Sequence, residues 1–140
     1  MDLEQLKKSL VKNEGMRVMM YDCPAGYKTI GVGHNLEARG ITEHAAMMIL
    51  EDDINQTMDE LDAAIGDWWR ELPEASALGL VELAFQIGAG GVSKFENSLR
   101  LIKEKAPSET ILMELLDSMW AKQTPNRAEV VARRIATGEW

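Results

Sequence analysis

Glu14, Cys23 and Thr29 place a carboxylic acid, a thiol and a hydroxyl at set intervals, with eight residues between the first two and five between the last two. A carboxylic acid that keeps its proton can deliver it to a departing oxygen, while a thiol and a hydroxyl can direct water. A glycosidase site has this layout when one short hairpin supplies all its groups. Each residue also has a plainer reading. Glu14 can be an exposed helix end. A lone Cys in a small protein is more often a buried hydrophobe. Thr suits a strand by propensity.

The segment around them has the turns to bring such groups together. Val18–Tyr21 and Tyr27–Val32 read as strands flanking Pro24-Ala-Gly26, where Pro presets φ and Gly tolerates φ > 0. A third short strand is expected near His34–Leu36. Before the hairpin, Leu3, Leu6 and Leu10 recur at helical spacing, and Gly15 is the stop. After it, Thr42 is the expected cap of a long amphipathic helix carrying Met47, Leu50, Ile54, Met58, Leu61 and Ile65. About 23 residues would span roughly 35 Å. Residues 66–76 give no clear pattern. Ala77–Ile87 reads as a buried helix broken by Gly88-Ala-Gly-Gly91, and Asn97–Lys105, Ser108–Trp120 and Pro125–Thr137 as three more. The Met residues and Trp68, Trp69, Trp120 and Trp140 are expected to be core and packing residues, and His44 a surface residue.

The chain resembles the phage-type lysozymes, the endolysins of glycoside hydrolase family 24, whose motif is Glu, eight residues, Asp or Cys, five residues, Thr. Glu14-Gly-x-Arg17, Tyr21, Cys23-Pro-Ala-Gly26 and Thr29-Ile-Gly-Val-Gly-His34 all fall in register. Phe85-Gln-Ile-Gly88, Gly91–Arg100, Trp120–Arg127 and Ala136–Trp140 resemble the T-even phage branch. Residues 35–42 and 66–80 match least, and a small helix after the hairpin looks missing.

The resemblance implies an α+β, mostly α, lysozyme-like single domain over residues 1–140. Its parts would be a small N-terminal lobe with a short antiparallel β-sheet (about 13–45), a connecting helix (about 42–65) and an all-helical lobe (about 66–140, with helix 2–12). It implies an N-acetylmuramidase that hydrolyses the β-1,4 bond from N-acetylmuramic acid to N-acetylglucosamine in peptidoglycan. Glu14 would be the general acid, and burial would help it keep its proton. Cys23 would activate or position water, or stabilise an oxocarbenium-like transition state, rather than form a thioglycosyl intermediate. A free thiol has a pKa of about 8.5. Asp22 and Glu14 would push Cys23 further toward the neutral thiol, so a local donor is needed. Thr29 would hold the water on the face opposite Glu14, which inverts the anomeric centre.

By the same resemblance Arg127 would face Glu14, with Gln86 sharing the network, and Asn35, Phe85, Asn97 and Ser98 would contact glycan. His34 would be structural, paired with Asp53. For Arg127 the plain alternative is a solvated helix arginine, and for Phe85 a core residue. The glycan-contacting Asn of one relative falls near Glu114 and is not transferred. Three competing activities stay open: a lytic transglycosylase, a Cys23/His34 peptidase or amidase acting on the peptide stems, and an inactive peptidoglycan-binding protein.

Composition narrows the partners. The formal charge is −8, and residues 35–90 carry twelve acidic and two basic residues. Nothing builds the basic stripe that nucleic acid requires. Peptidoglycan is itself anionic, so this charge does not aid encounter. The single Cys excludes an internal disulfide, no Cys/His cluster has zinc-ligand spacing, and no metal or cofactor is expected. The N-terminus lacks a long apolar stretch, and no run approaches the roughly 18 residues of a membrane span. A monomer made in the host bacterial cytoplasm is expected, reaching the cell wall through a permeabilised membrane, for example by a phage holin.

Overall fold

The computed structural model describes all residues, Met1–Trp140. By its internal contacts the chain divides into two units, Met1–Met48 and Ile49–Trp140.

In the first unit, helix α1 (Leu3–Glu14) begins where the Asp2 side chain accepts the Gln5 N–H and ends at Gly15, whose N–H returns to the Val11 carbonyl. Strands β1 (Arg17–Asp22), β2 (Lys28–Gly31) and β3 (His34–Asn35) form an antiparallel sheet in sequential order. Tyr21 pairs with Thr29, and Thr29 with Asn35. Between Arg17 and Tyr21 the register slips, so Val18, Met19 and Met20 stand out as a bulge. Thr29, 3% exposed, is the sole buried residue of residues 1–48. Backbone pairing, rather than an apolar core, holds this unit together. The sequence reading grouped residues 2–12 with the helical lobe. The contacts group them with the first unit, and Leu3, Leu6 and Leu10 are exposed.

A single helical turn follows the hairpin. Helix α2 (Leu36–Arg39) is one turn long, and the Asn35 side-chain Oδ1 caps it by accepting the Ala38 N–H at 3.0 Å. Helix α3 (Glu43–Ile65) starts from Thr42, whose hydroxyl accepts the Ala45 N–H, and carries the chain past Met48.

The second unit is all helical. The stretch without a clear sequence pattern contains a 3-10 turn, Asp67–Glu71, that buries Trp69. Asp62 fixes it, accepting Trp69 Nε1–H at 2.9 Å and two Arg70 guanidinium bonds. Helices α4 (Glu74–Ile87), α5 (Ala89–Ser93), α6 (Glu96–Lys103), α7 (Ser108–Leu116), α8 (Met119–Gln123) and α9 (Pro125–Thr137) follow. The expected helix over Ser108–Trp120 is two helices. Asp117 leaves helical geometry, and Ser118 caps α8 by accepting the Ala121 N–H. The core joins Leu80, Leu83, Ala84, Val92, Leu115, Val131 and Ile135 to Trp69 and Trp120. Helices α4 and α9 approach so closely that a Cβ at Gly79 would lie 2.7 Å from Ile135 Cγ1. Buried Ser76 donates to the Ile135 carbonyl on the same seam.

Two packing expectations are corrected. Eight of the nine methionines are exposed, Met58 alone packing on the core. Trp140 is 73% exposed, with the Arg134 guanidinium over its ring. Hydropathy alone treats Met as interior, but its flexible, polarisable chain tolerates surface positions.

Candidate active site

The end of α1 and the first hairpin carry the three motif residues, each held by a different device. Glu14 is the last residue of α1, and its side chain lies against Gly33. A Cβ there would come within 3.1 Å of Glu14 Oε2. Gly33 has φ +64°, a conformation that glycine adopts without penalty. The burial expected around Glu14 is absent, since the residue is exposed.

Cys23 opens the turn between β1 and β2. Its N–H donates to the Tyr27 carbonyl at 2.9 Å, and its own carbonyl accepts the Gly26 N–H at 2.8 Å. The backbone N–H of Tyr27 holds the thiol below its ordinary value, and desolvation partly opposes this. Ala25, Gly26 and Thr29 lower it further. The expected push from Asp22 and Glu14 toward the neutral thiol is not among the influences on Cys23. The needed donor is the turn backbone, and the Asp22 carboxylate is engaged by Lys28 Nζ at 2.7 Å.

Thr29 Oγ1 donates to the Tyr27 carbonyl at 2.9 Å. A hydroxyl has one proton and two lone pairs. The Cys23 sulfur and the Tyr27 carbonyl therefore compete for one proton, while the lone pairs stay free to accept from water.

His34 Nε2 lies 2.6 Å from the Gly40 carbonyl oxygen. A carbonyl only accepts, so Nε2 carries the proton, and the ring ties β3 to the end of α2. Asn35 spends its side-chain oxygen on the α2 cap.

The remaining candidates lie in the second unit. Asn97 and Ser98 line a groove of about 590 Å³ with Glu114, Ser118, Trp120 and Gln123. Phe85, which is exposed, shares a hollow of about 260 Å³ with Asp53, Gln56, Thr57 and Glu60. Gln86 accepts Trp120 Nε1–H at 2.9 Å and donates to Thr124 Oγ1 at 3.3 Å, tying α4 to α8 and the start of α9. Arg127 lies 3.8 Å from Glu82, which Arg134 also approaches at 3.5 Å. No cluster of three His, Cys, Asp or Glu side chains is placed to hold a metal ion.

The phage lysozyme family matches residues 11–137. The chain belongs to this family. This phage lysozyme is 30% identical to probable T4-type lysozyme 2 of Dictyostelium discoideum, over 97% of its own length and 96% of the relative's. It is 30% identical to peptidoglycan hydrolase gp36 of Pseudomonas phage phiKMV, matching 96% of its own length but 15% of that longer protein. It is 28% identical to the pre-baseplate central spike protein Gp5 of Enterobacteria phage T4, spanning 28% of it. The phage lysozyme is thus a glycoside hydrolase of the lysozyme class, acting in peptidoglycan hydrolysis. No helix is long and apolar enough to cross a membrane.

Three residues besides the named candidates take part in the geometry: Gly33 under Glu14, Lys28 on Asp22, and Glu82 beside Arg127. Glu82 had a signal, being the single charged residue within the apolar stretch Ala77–Ile87. Lys28 had one too, at the position opposite Asp22 across a Pro-Ala-Gly turn. Gly33 lay in the matched stretch Thr29-Ile-Gly-Val-Gly-His34, which marks a glycine there without naming its contact.

Proposed function

We propose that this phage lysozyme is an N-acetylmuramidase that hydrolyses the β-1,4 bond between N-acetylmuramic acid and N-acetylglucosamine. The observation that carries the reading is the single hairpin unit holding an exposed carboxylic acid over Gly33 together with a hydrogen-bonded thiol and a hydroxyl with free lone pairs. Glu14 gives its proton to the departing glycosidic oxygen. Water attacks the anomeric carbon from the opposite face, donating one hydrogen bond to Thr29 Oγ1. The Cys23 thiolate takes the proton released by the water, or stabilises the positive charge that develops on the sugar. The turn's N–H groups raise the thiolate fraction at neutral pH above that of a free cysteine. Inversion at the anomeric carbon follows from attack opposite the leaving group.

In the second unit Arg127, Gln86, Phe85, Asn97 and Ser98 are the proposed glycan-binding residues, with Asn35 in the first. His34 and Asp53 serve the fold. The enzyme works as a monomer without a cofactor, and reaches the cell wall after the membrane is permeabilised by a holin.

The test is reducing-end release from purified peptidoglycan by wild type and Glu14→Gln, with mass spectrometry of the fragments. Hydrated muramyl ends that almost vanish in Glu14→Gln are expected. Anhydro-muramyl ends would assign a lytic transglycosylase. New amino groups without new reducing ends would assign a peptidase or amidase.

A further inference from the structure

The groove of about 590 Å³ in the second unit is lined from the start of α6, the end of α7 and α8. Part of its lining is aromatic. Phe95 meets Trp120 edge to face, with ring centres 6.2 Å apart, and the Trp120 N–H is already committed to Gln86. The rest is polar and charged. Three carboxylates, Glu96, Glu114 and Asp117, and one cation, Lys94, give the lining a net charge of −2. None of these four groups enters an ion pair within the protein.

Ser98 marks the groove as a place for a ligand. The residue is 3% exposed, and its hydroxyl has no hydrogen-bond partner within the protein. No sealed side-chain oxygen or nitrogen of the chain lacks a partner, so this oxygen opens into the groove that Ser98 lines. A nearly buried hydroxyl left free by the protein is satisfied by water or by a ligand atom.

The lining also says what kind of ligand group fits. Methylenes can lie on the aromatic rings while an ammonium at their end donates to carboxylates. Glu114 is half-buried, so its charge is screened less than one on the open surface. Peptidoglycan carries a group of this form, the side chain of the diamino acid in its peptide stems. Cross-linking turns that amine into a neutral amide.

We infer that Glu114 and Asp117 are specificity-determining residues of this lysozyme: the groove takes the aliphatic chain and free ammonium of a diamino acid in an uncross-linked peptide stem. The inference rests on the proposal that Asn97 and Ser98 contact the glycan strand, and it names the substituent of that strand which enters the groove. Acidity that does not aid encounter with an anionic wall here serves discrimination.

The experiment measures reducing-end release from purified peptidoglycan before and after its free amines are acetylated with acetic anhydride. Acetylation should lower the wild-type kcat/KM by roughly three- to tenfold, through KM with kcat retained. Glu114→Gln/Asp117→Asn should lose a similar factor on the native substrate and be indifferent to acetylation. Glu51→Gln/Asp52→Asn removes the same charge from exposed positions on α3 and should behave as wild type. Equal wild-type rates on the two substrates, a groove variant still sensitive to acetylation, or an α3 variant that loses the sensitivity too overturns the inference. If the groove variant does not fold, the wild-type and α3 comparisons decide. Sugars that have lost their acetyl groups are a second source of amines. Wild-type kcat/KM on strands stripped of stems by an amidase should fall to the acetylated level or below, and a native rate there overturns the assignment to the stem. Sedimentation of Glu14→Gln with insoluble peptidoglycan, native and acetylated, separates the two claims. Absence of reducing-end release by wild type would remove the muramidase reading. Weaker sedimentation with the acetylated wall would still support the groove, and equal sedimentation would overturn it.

Discussion

Glu14 rests on Gly33: the carboxylate of the proposed acid occupies space that any side chain at position 33 would enter, 3.1 Å from the nearest oxygen. Two constraints fall on one residue, because Gly33 also has φ +64°. Gly33→Ala should therefore act twice. The backbone penalty should lower stability by about 1–2 kcal/mol, and the added methyl should displace Glu14. Misplacing a reacting group by a fraction of an ångström to one ångström should reduce lysis of peptidoglycan by roughly ten- to a hundredfold. Thermal denaturation and turbidity clearance of the same preparation separate the two effects. A variant that loses stability but keeps wild-type clearance would show that the contact does not place Glu14.

Cys23 gives a pH signature of stability. Its thiol lies below the ordinary value in the fold, first through the Tyr27 backbone N–H. A group depressed on folding stabilises the fold fully above its unfolded value, and that contribution is lost as pH falls through the folded value. The melting-temperature difference between wild type and Cys23→Ser should thus grow with rising pH between those two values and then level off. A difference that is flat with pH would mean that the turn does not favour the thiolate.

Asp62 serves two partners at once, the buried Trp69 indole and the Arg70 guanidinium. Its carboxyl is held below the usual range, first by the Arg70 hydrogen bonds. Asp62→Ala leaves the Trp69 N–H without its partner, at a cost of about 1–3 kcal/mol. Asp62→Asn keeps an acceptor for Trp69 and loses only the charge, so it should be milder. The pair's contribution is present above the unfolded carboxylate value and disappears as pH falls through the folded one. Melting curves of the three proteins at neutral and acid pH should therefore bring wild type and Asp62→Asn together in acid.

Lys105 carries a left-handed backbone, φ 56°, the one non-glycine residue with positive φ. Its N–H returns to the Ile102 carbonyl and that of Ala106 to Leu101, a paired closure of α6 that favours glycine at this place. Lys105→Gly should raise stability by about 0.5–1 kcal/mol, read as a higher melting temperature with lysis unchanged. A lower melting temperature would mean that the lysine side chain contributes contacts worth more than the backbone relief.

Local signals made much of this molecule readable before its structure. The Pro-Ala-Gly turn, the Gly15 stop, the Thr42 cap and the apolar period of α3 are properties of neighbouring residues, and each produced the expected element. The spacing of Glu14, Cys23 and Thr29 is local too, running from the last residue of α1 through the first hairpin. Failures came where a polar residue had two possible uses. The cap that Asn35 makes on α2 was not read, although Gly40 four residues past Leu36 marked a helix of one turn. Ser118 sat within an apolar run that reads as one helix, yet its hydroxyl starts a new one. The partners of Gly33 and of Glu82 could not be named from local signals, because both contacts join residues far apart in sequence.

A unit whose sole buried side chain is a threonine hydroxyl has little apolar area to lose when it opens. Its amide protons, those of Cys23 and Thr29 among them, should trade with solvent deuterium through local fluctuations of small free energy. Protons on α4 and α9, sealed along the Gly79–Ile135 seam, should wait for global unfolding. The residues proposed for chemistry would then sit on the most frequently remodelled part of the chain, while the helical unit holds its form.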